Sequence, residues 1–162
     1  MNESKKESVA TEVIEFSGHP NILATHYNTI EVTKASAISR RADCIIGVNA
    51  TKACTDLSDA LKKHIQSGGR LSFGITVERE SFSFSGRGRK ELTLKDSHEL
   101  VLRRSDFVSD RTGAISCDAA AIDLPRKLVK LLQNGNAKGA LTITAIDSPH
   151  SEDMVSPLFI ES

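Results

Sequence analysis

The sequence has few aromatic residues and no net charge. Among its 162 residues there is no tryptophan, Tyr27 is the only tyrosine, and aromatic residues make up 4% of the chain. The 21 Lys and Arg residues equal the 21 Asp and Glu residues in number. Phosphate binding needs excess Lys and Arg, and single-strand binders stack bases on exposed rings. Nucleic acid is therefore not the favoured partner, although structured RNA bound through arginines and backbone groups stays open.

Long apolar runs and paired cysteines are also absent. No run of about 18 apolar residues occurs, so no membrane-spanning helix and no membrane partner is predicted. Residues 1–8 mix charges without an apolar core, which argues against a secretory signal peptide. Cys44, Cys54 and Cys117 are odd in number and show no Cys-x-x-Cys spacing, so neither a disulfide framework nor a closed zinc site is expected. These features predict a cytoplasmic protein with reduced cysteines.

Familiar catalytic motifs are missing as well. The sequence contains no Gly-x-Ser-x-Gly nucleophile elbow and no His-Glu-x-x-His helix. The glycine-containing stretch 85–89 is not followed by the Gly-Lys-Ser/Thr of a phosphate loop. The sequence therefore specifies no enzyme class and no cofactor.

A similar unit occurs twice in the chain. A shift of 67 residues aligns acidic, leucine and glycine positions of the two halves, and the pairs include Asp43 with Asp110, Asp56 with Asp123, Leu61 with Leu128 and Gly68 with Gly135. Further upstream, a shift of 70 residues aligns Gly18 with Gly88. Internal self-similarity of this length predicts two pseudo-symmetric repeats, about 11–80 and 81–146, in a single domain. Residues 1–10 and the polar stretch 147–162, which ends in an apolar patch at 157–160, are predicted to be flexible tails.

Each repeat is predicted to contain several strands and one short helix. Apolar alternation predicts a strand pair over 22–32 in the first half and over 92–102 in the second. Strands are also expected at 43–48 and 113–117, and at 71–77 and 141–146. Between them, Asp56 and Asp123 are predicted to cap helices, because a carboxylate can accept bonds from free first-turn amides. Sequential antiparallel strands with two short helices predict a mainly β, α+β domain, a β-sandwich rather than a doubly wound sheet.

Several short motifs resemble a known family. They are Gly18-His19-Pro20-Asn21, Ala24-Thr25-His26, Asp43-Cys44-Ile45-Ile46-Gly47, Ser105-Asp106-Phe107 and Asp123-Leu124-Pro125. Together they resemble an uncharacterised archaeal family catalogued as domain of unknown function 371, over roughly residues 12–146. The resemblance implies a jelly-roll-like β-sandwich with small helices and no particular activity. Where family members often repeat the Gly-His-Pro run, this chain has Gly88-Arg89-Lys90, which argues against a site that needs a histidine in both halves.

His19 and His26 are the candidate metal ligands. With Asp43 and Cys44 they offer the imidazole, carboxylate and thiolate groups that suit a zinc-like ion. On a regular strand His26 and Glu31 would point to opposite faces, so a cupin-like ligand set would need a turn or bulge between them. The alternative is that His19 and Asn21 cap a turn and that His26 lies in a hairpin.

Polar residues interrupt the apolar alternation at equivalent places in the two halves. They are His26 and Asn28 in the first half and Asp96 and His98 in the second. If the strands ran straight through, these side chains would face a common interior and could form a ligand site, because buried polar groups need partners. If the segments are hairpin turns, the same residues are solvated.

Arginines form a third group of candidates. Residues 40–41, 87–90, 103–104 and Arg111 supply guanidinium or ammonium groups. The stretch 85–89 resembles a small anion-binding loop, because glycine lets backbone amides approach a phosphate and arginine binds it bidentately. The alternative is a solvated hairpin whose charges keep a sheet edge from aggregating.

Three functions follow, in decreasing order of preference. The first is binding of a small anionic or polar ligand, with or without catalysis, where the two repeats meet. The predicted ligand-binding residues are His19, Asn21, His26, Asp43, Cys44, Arg87, Arg104 and Arg111. The second is binding of RNA or DNA through basic hairpins, and the third is a structural role in which strand edges pair to form a homodimer.

Overall fold

The computed structural model of the chain describes residues 10–146. The predicted C-terminal tail with its apolar patch, and all of the predicted N-terminal tail except Ala10, lie outside these residues. The elements in chain order are β1 (Thr11–Ser17), β2 (Thr29–Thr33), β3 (Ile45–Gly47), α1 (Asp59–Gln66), β4 (Arg70–Val77), β5 (Glu80–Arg87), β6 (Glu99–Arg103), β7 (Thr112–Ala114), α2 (Arg126–Leu132) and β8 (Lys138–Ile146).

The strands form two four-stranded sheets. The first has the order β1-β8-β4-β5 and is antiparallel throughout. The second has the order β3-β2-β6-β7, in which the central β2–β6 pair is antiparallel and both outer pairs are parallel. The predicted mainly β, α+β class is therefore confirmed. Each sheet combines strands from the first and the second part of the chain.

The inner faces of both sheets contribute to one hydrophobic core. Ile14, Phe73 and Leu141 from the first sheet and Ile30 and Leu100 from the second are all almost completely buried in it. Strands β4 and β8 alternate between buried and more exposed residues, as expected where one face meets the core. Strand β2 is different, because all five of its residues are buried. Its outer face is therefore covered too.

The predicted strands at 22–24 and 92–94 are wrong. Residues 18–28 and 88–98 are irregular, and Ala24 and Leu94 adopt positive φ angles of 50° and 53°, which no strand contains. Their apolar side chains alternate because they insert into the core from a loop. Two strands that the sequence pattern did not predict, β1 and β5, form the two edges of the first sheet. The prediction that sequential strands are antiparallel is wrong for β2 and β3, which are parallel neighbours.

The predicted helix caps need a similar correction. The Asp56 carboxylate accepts a bond from the Ala53 amide at 2.9 Å within a short 3-10 turn, and Asp123 does the same with Ala120 at 2.9 Å. Leu57 is extended, so α1 begins only at Asp59, and Ser58 is its N-cap, accepting from the Leu61 amide. In the second half Pro125 precedes α2, where its missing N–H costs no helical bond.

Candidate functional site

The residues of the first motif stabilise a loop. The Asn21 amide donates to His19 Nδ1 at 3.0 Å, and the Asn21 side chain donates to the Ile38 carbonyl at 2.8 Å. The Asp43 carbonyl accepts bonds from the amides of Thr25 and His26. These contacts correspond to the capped turn that was the alternative to a metal site. Among residues 10–146 no group of three or more His, Cys, Asp or Glu side chains is placed to hold a metal ion.

The polar residues that interrupt the apolar pattern lie at turns. His26 Nδ1 accepts bonds from the amides of Asn28 and Thr29, at 3.1 and 3.2 Å. In the second half, Asp96 Oδ1 accepts equivalent bonds from the amides of His98 and Glu99, both at 2.8 Å. His26 is therefore not on a strand, and the parity argument that separated it from Glu31 does not apply.

Two predicted arginines lie apart from the buried centre of the second sheet. Arg87 is exposed at the end of β5, where its backbone bonds to that of Ile115. Arg104 is exposed as well, and its Nη1 lies 3.3 Å from Asp123 Oδ2. An exposed ion pair of this kind contributes little to stability.

Cys44 and Arg111, by contrast, meet at Glu31. Glu31 lies on the outer face of β2 and is only 4% exposed. The Cys44 thiol donates to Glu31 Oε1 at 3.3 Å, and Arg111 Nη1 lies 3.7 Å from Glu31 Oε2. The same Arg111 atom contacts Glu99 Oε1 at 2.6 Å. Glu31, Cys44, Glu99, Arg111 and the neighbouring Arg103, described below, are called the Glu31 cluster.

Burial makes Glu31 an unusual carboxylic acid. Desolvation and, secondly, repulsion by Glu99 raise its pKa to about 7. The bond from Cys44 and the positive charge of Arg111 oppose this rise only in part. A carboxyl group that exchanges its proton near neutral pH can act as a general acid or base. Strongly shifted carboxyl groups of this kind are concentrated at functional sites.

Arg103 lies on the same outer face of the sheet, where it is paired with Thr29 across the central strands. It is half-buried, and its Nε donates to Thr112 Oγ1 at 2.8 Å while its Nη2 donates to Ser109 Oγ at 3.3 Å. Its guanidinium lies 4.8 Å from the centre of the Phe107 ring. Burial and the nearby positive charge of Arg111 lower its pKa. Within residues 10–146 no carboxylate lies within 4.0 Å of its nitrogen atoms.

The cysteines of this chain are protected thiols. Burial raises the pKa of Cys44, Cys54 and Cys117 to about 12, and for Cys44 the negative charge of Glu31 adds to the effect. Because the thiolate is the reactive species, Cys44 is a hydrogen-bond donor here rather than a nucleophile.

We therefore expect the native protein at pH 8 to react with a thiol-specific disulfide reagent at least about 100-fold more slowly than the urea-unfolded chain. Absorbance of the released thiolate measures both rates. A Cys44→Ser variant identifies which thiol reacts first. Rapid modification of Cys44 in the native wild type would contradict the protected-donor role.

The sequence did not indicate Glu31 as a central residue or Glu99 as a member of the cluster. Arg103 was among the candidate arginines but not among the predicted ligand-binding residues. The available signal was weak, because Glu31 lies between Ile30 and Val32 and looks like the solvent side of an amphipathic strand. Only the covering of the outer face of β2 makes it buried.

The larger surface depressions lie elsewhere. One of about 480 Å³ is bordered by Glu15, Phe16 and Lys138, and another of about 450 Å³ by Glu80, Lys127 and Leu131. Neither Glu31 nor Arg103 borders either depression. We therefore regard the Glu31 cluster as the candidate site because of its chemistry rather than its volume.

Fold and site together define a small, mainly β protein with a buried carboxyl group, Glu31, and its partly exposed ionisable neighbours on the central strand pair. No helix between residues 10 and 146 is long and apolar enough to cross a membrane. The sequence profile described as Domain of unknown function (DUF371) matches residues 14–146, and the chain belongs to that family. It is 34% identical over 123 residues to an uncharacterized protein of Methanocaldococcus jannaschii, a match that covers 76% of this chain and 91% of the relative.

Proposed function

We propose that this protein binds a small anionic ligand at the Glu31 cluster. The observation that supports the proposal is Arg103, whose half-buried positive charge contacts only hydroxyl groups and an aromatic ring. The negative charge of Glu31 acts on Arg103 from a distance, but no carboxylate of residues 10–146 forms a salt bridge with it. Partly burying a charge without a direct salt bridge is unfavourable, and a bound anion would offset that cost. A guanidinium can also donate two parallel bonds to a carboxylate or phosphate, which gives the ligand a defined orientation.

The site lies at the centre of two similar halves, which we propose to be pseudo-symmetric repeats. Glu31 and Val101 face each other in the central strand pair. The Glu31 amide donates to the Cys44 carbonyl at 2.9 Å, and the Val101 amide donates to the Arg111 carbonyl at 2.8 Å. Cys44 and Arg111 thus occupy equivalent positions beside the pair. A jelly roll is built from antiparallel strands, whereas the outer strand pairs of the second sheet are parallel. We therefore propose two repeats without a jelly-roll topology.

Catalysis at this site is an extension of the same proposal. Glu31, with a pKa of about 7, could transfer a proton to or from a ligand that Arg103 holds. We place the reaction in the cytoplasm, because Cys44, Cys54 and Cys117 are all free thiols.

The test is isothermal titration calorimetry with inorganic phosphate and pyrophosphate. Arg103→Gln is expected to weaken binding at least about tenfold, which corresponds to roughly 1.4 kcal/mol. The matched control is Arg104→Gln, because Arg104 is the adjacent arginine but is exposed and paired with Asp123. Its Kd is expected to stay within about threefold of wild type. Equal losses in the two variants, or no binding of either anion to wild type, would overturn the proposed function.

A further inference from the structure

We infer that the anion held by Arg103 is the phosphate of a nucleotide, and that the base of this nucleotide stacks on the exposed rings beside it. The inference rests on the proposed anion site and adds a ligand class to it. It is based on two exposed rings, the closeness of the Tyr27 backbone to that of Arg103, and the salt bridges of the neighbouring arginines.

The first ring is Phe107. It is 59% exposed, which is unusual for phenylalanine, and the Arg103 guanidinium lies 4.8 Å from its centre. The guanidinium limits the freedom of the ring while most of its surface stays open to solvent. An aromatic ring beside a cation that forms no salt bridge presents the two surfaces that a nucleotide needs, one for the base and one for the phosphate.

The second ring is Tyr27. It is 71% exposed and stacks on His26, with ring centres 5.5 Å apart and planes 6° from parallel. His26 is itself fixed, because its Nδ1 contacts the Asn28 amide, the Thr29 amide and, at 3.1 Å, the Thr29 hydroxyl. Tyr27 is therefore held in place before any ligand arrives, which lowers the entropy lost when a base stacks on it.

The backbone of Tyr27 lies near that of Arg103. Tyr27 is two residues before Thr29, so their Cα atoms are at most about 7 Å apart. Thr29 is the cross-strand partner of Arg103, at a Cα distance of about 5 Å. The pairing continues outward, since the Arg104 amide donates to the Asn28 carbonyl at 2.8 Å. These steps put the Tyr27 and Arg103 Cα atoms at most about 12 Å apart, a separation that one or two nucleotides can bridge.

The charge balance favours one phosphate over many. Arg104 is paired with Asp123, and Arg111 is paired with Glu99 and Glu31. Of these three arginines, Arg103 is the one without a salt bridge within the described residues. A duplex or a long single strand would need a continuous series of free cations, and these three arginines provide one. A single nucleotide unit, free or within a short single strand, fits the available charge.

The composition of the chain supplies a reporter for this site. Because there is no tryptophan and Tyr27 is the only tyrosine in the full sequence, intrinsic tyrosine fluorescence reports on Tyr27 alone. We would titrate the wild-type protein with adenosine 5′-monophosphate, a single-stranded adenosine tetranucleotide and ribose 5-phosphate. The nucleotides are expected to quench the fluorescence saturably and to bind at least about tenfold more tightly than ribose 5-phosphate, because stacking adds about 1–3 kcal/mol per base.

Two substitutions test the role of the ring, with calorimetry as the readout. Tyr27→Ala is expected to remove the preference for nucleotide over ribose 5-phosphate, whereas Tyr27→Phe keeps the ring and should retain that preference. Both variants should still bind ribose 5-phosphate in an Arg103-dependent manner. An unchanged nucleotide preference in Tyr27→Ala would overturn the stacking role.

The outcomes separate this inference from the proposed function. If ribose 5-phosphate binds through Arg103 as tightly as the nucleotides do, the inference fails and the anion site stands. If neither phosphate, ribose 5-phosphate nor nucleotide binds, both fail. Equal affinity for the mononucleotide and the tetranucleotide supports a free nucleotide as the ligand, and tighter binding of the tetranucleotide supports a short single strand.

Discussion

Gly88→Ala is expected to lower the free energy of unfolding by about 3 kcal/mol or more. Gly88 is buried where the loop after β5 crosses the end of α1, and its amide donates to the Gly69 carbonyl at 2.8 Å. A Cβ atom at this position would overlap the Ile65 carbonyl oxygen and lie 2.6 Å from the Ile65 carbonyl carbon. Both are backbone atoms of α1, so no side-chain rotation relieves the overlap. Urea denaturation followed by circular dichroism measures the loss.

Two other glycines provide a second test of this prediction and a control for it. Gly18 directly follows β1, and an added Cβ there would overlap the Leu132 carbonyl oxygen, so Gly18→Ala is expected to be comparably destabilising. Gly74 lies in β4 with no atom within 4 Å of an added Cβ, and Gly74→Ala is expected to stay within about 1 kcal/mol of wild type. Similar stabilities for Gly88→Ala and Gly74→Ala would show that the loop does not approach α1 this closely.

The protein is expected to be more stable at pH 5 than at pH 8 because of Glu31. The pKa of this group is raised from 4.5 to about 7 on folding, so between these values the folded state binds more protons than the unfolded state. The free energy of unfolding then falls as the pH rises from 4.5 to 7, and Glu31 causes no further loss above about pH 7. Integrated from pH 5 to pH 8, the change is about 2–3 kcal/mol.

Glu31→Gln should remove this dependence, because the amide keeps the shape of the side chain and does not titrate. Comparing wild type and variant by urea denaturation at pH 5 and pH 8 cancels the contribution of the histidines. The control is Glu12→Gln: Lys52 and the Ser58 amide hold the Glu12 pKa below 4.5 despite its burial, so its contribution is lost only in more acidic solution. The Glu12→Gln profile should therefore run parallel to wild type between pH 5 and 8. A Glu31→Gln profile that also runs parallel to wild type would contradict the assignment of this pH dependence to Glu31.

The sequence predicted the fold where local periodicity and burial coincide. Strands β4 and β8 alternate cleanly, and Leu61 and Ile65 form the buried side of α1, so these elements lie close to their predicted positions. Ile22 and Ala24 show a similar alternation but do not belong to a strand. Their alternation results from a loop pressed into the core, and a positive φ angle at alanine has no signature in the sequence. Burial was predicted correctly there, but the conformation of the backbone was not.

The candidate site was less predictable than the fold. Cys44 and Arg111 were identified from their chemistry, but their meeting point depends on Glu31, which is distant from Arg111 in sequence and becomes a neighbour only through the β2–β6 pairing. The burial of Glu31 also involves Cys44 and Arg111, which contact it from other parts of the chain. No local sequence pattern indicates either the strand pairing or these contacts. Glu31, which lies between Ile30 and Val32, therefore resembles an ordinary solvent-facing strand residue.

The position of β8 has a consequence for folding during synthesis. This last described strand lies between β1, the first, and β4, so the first sheet cannot be completed until residue 146 has left the ribosome. Until then β1 has no neighbour in that sheet, and β4 has only β5. Until β8 is available, Ile14 and Phe16 lack their strand partners Leu141 and Gly139, which leaves them more open to non-native contacts. Non-local pairing of this kind predicts slow folding and a dependence on cellular factors that shield apolar chains.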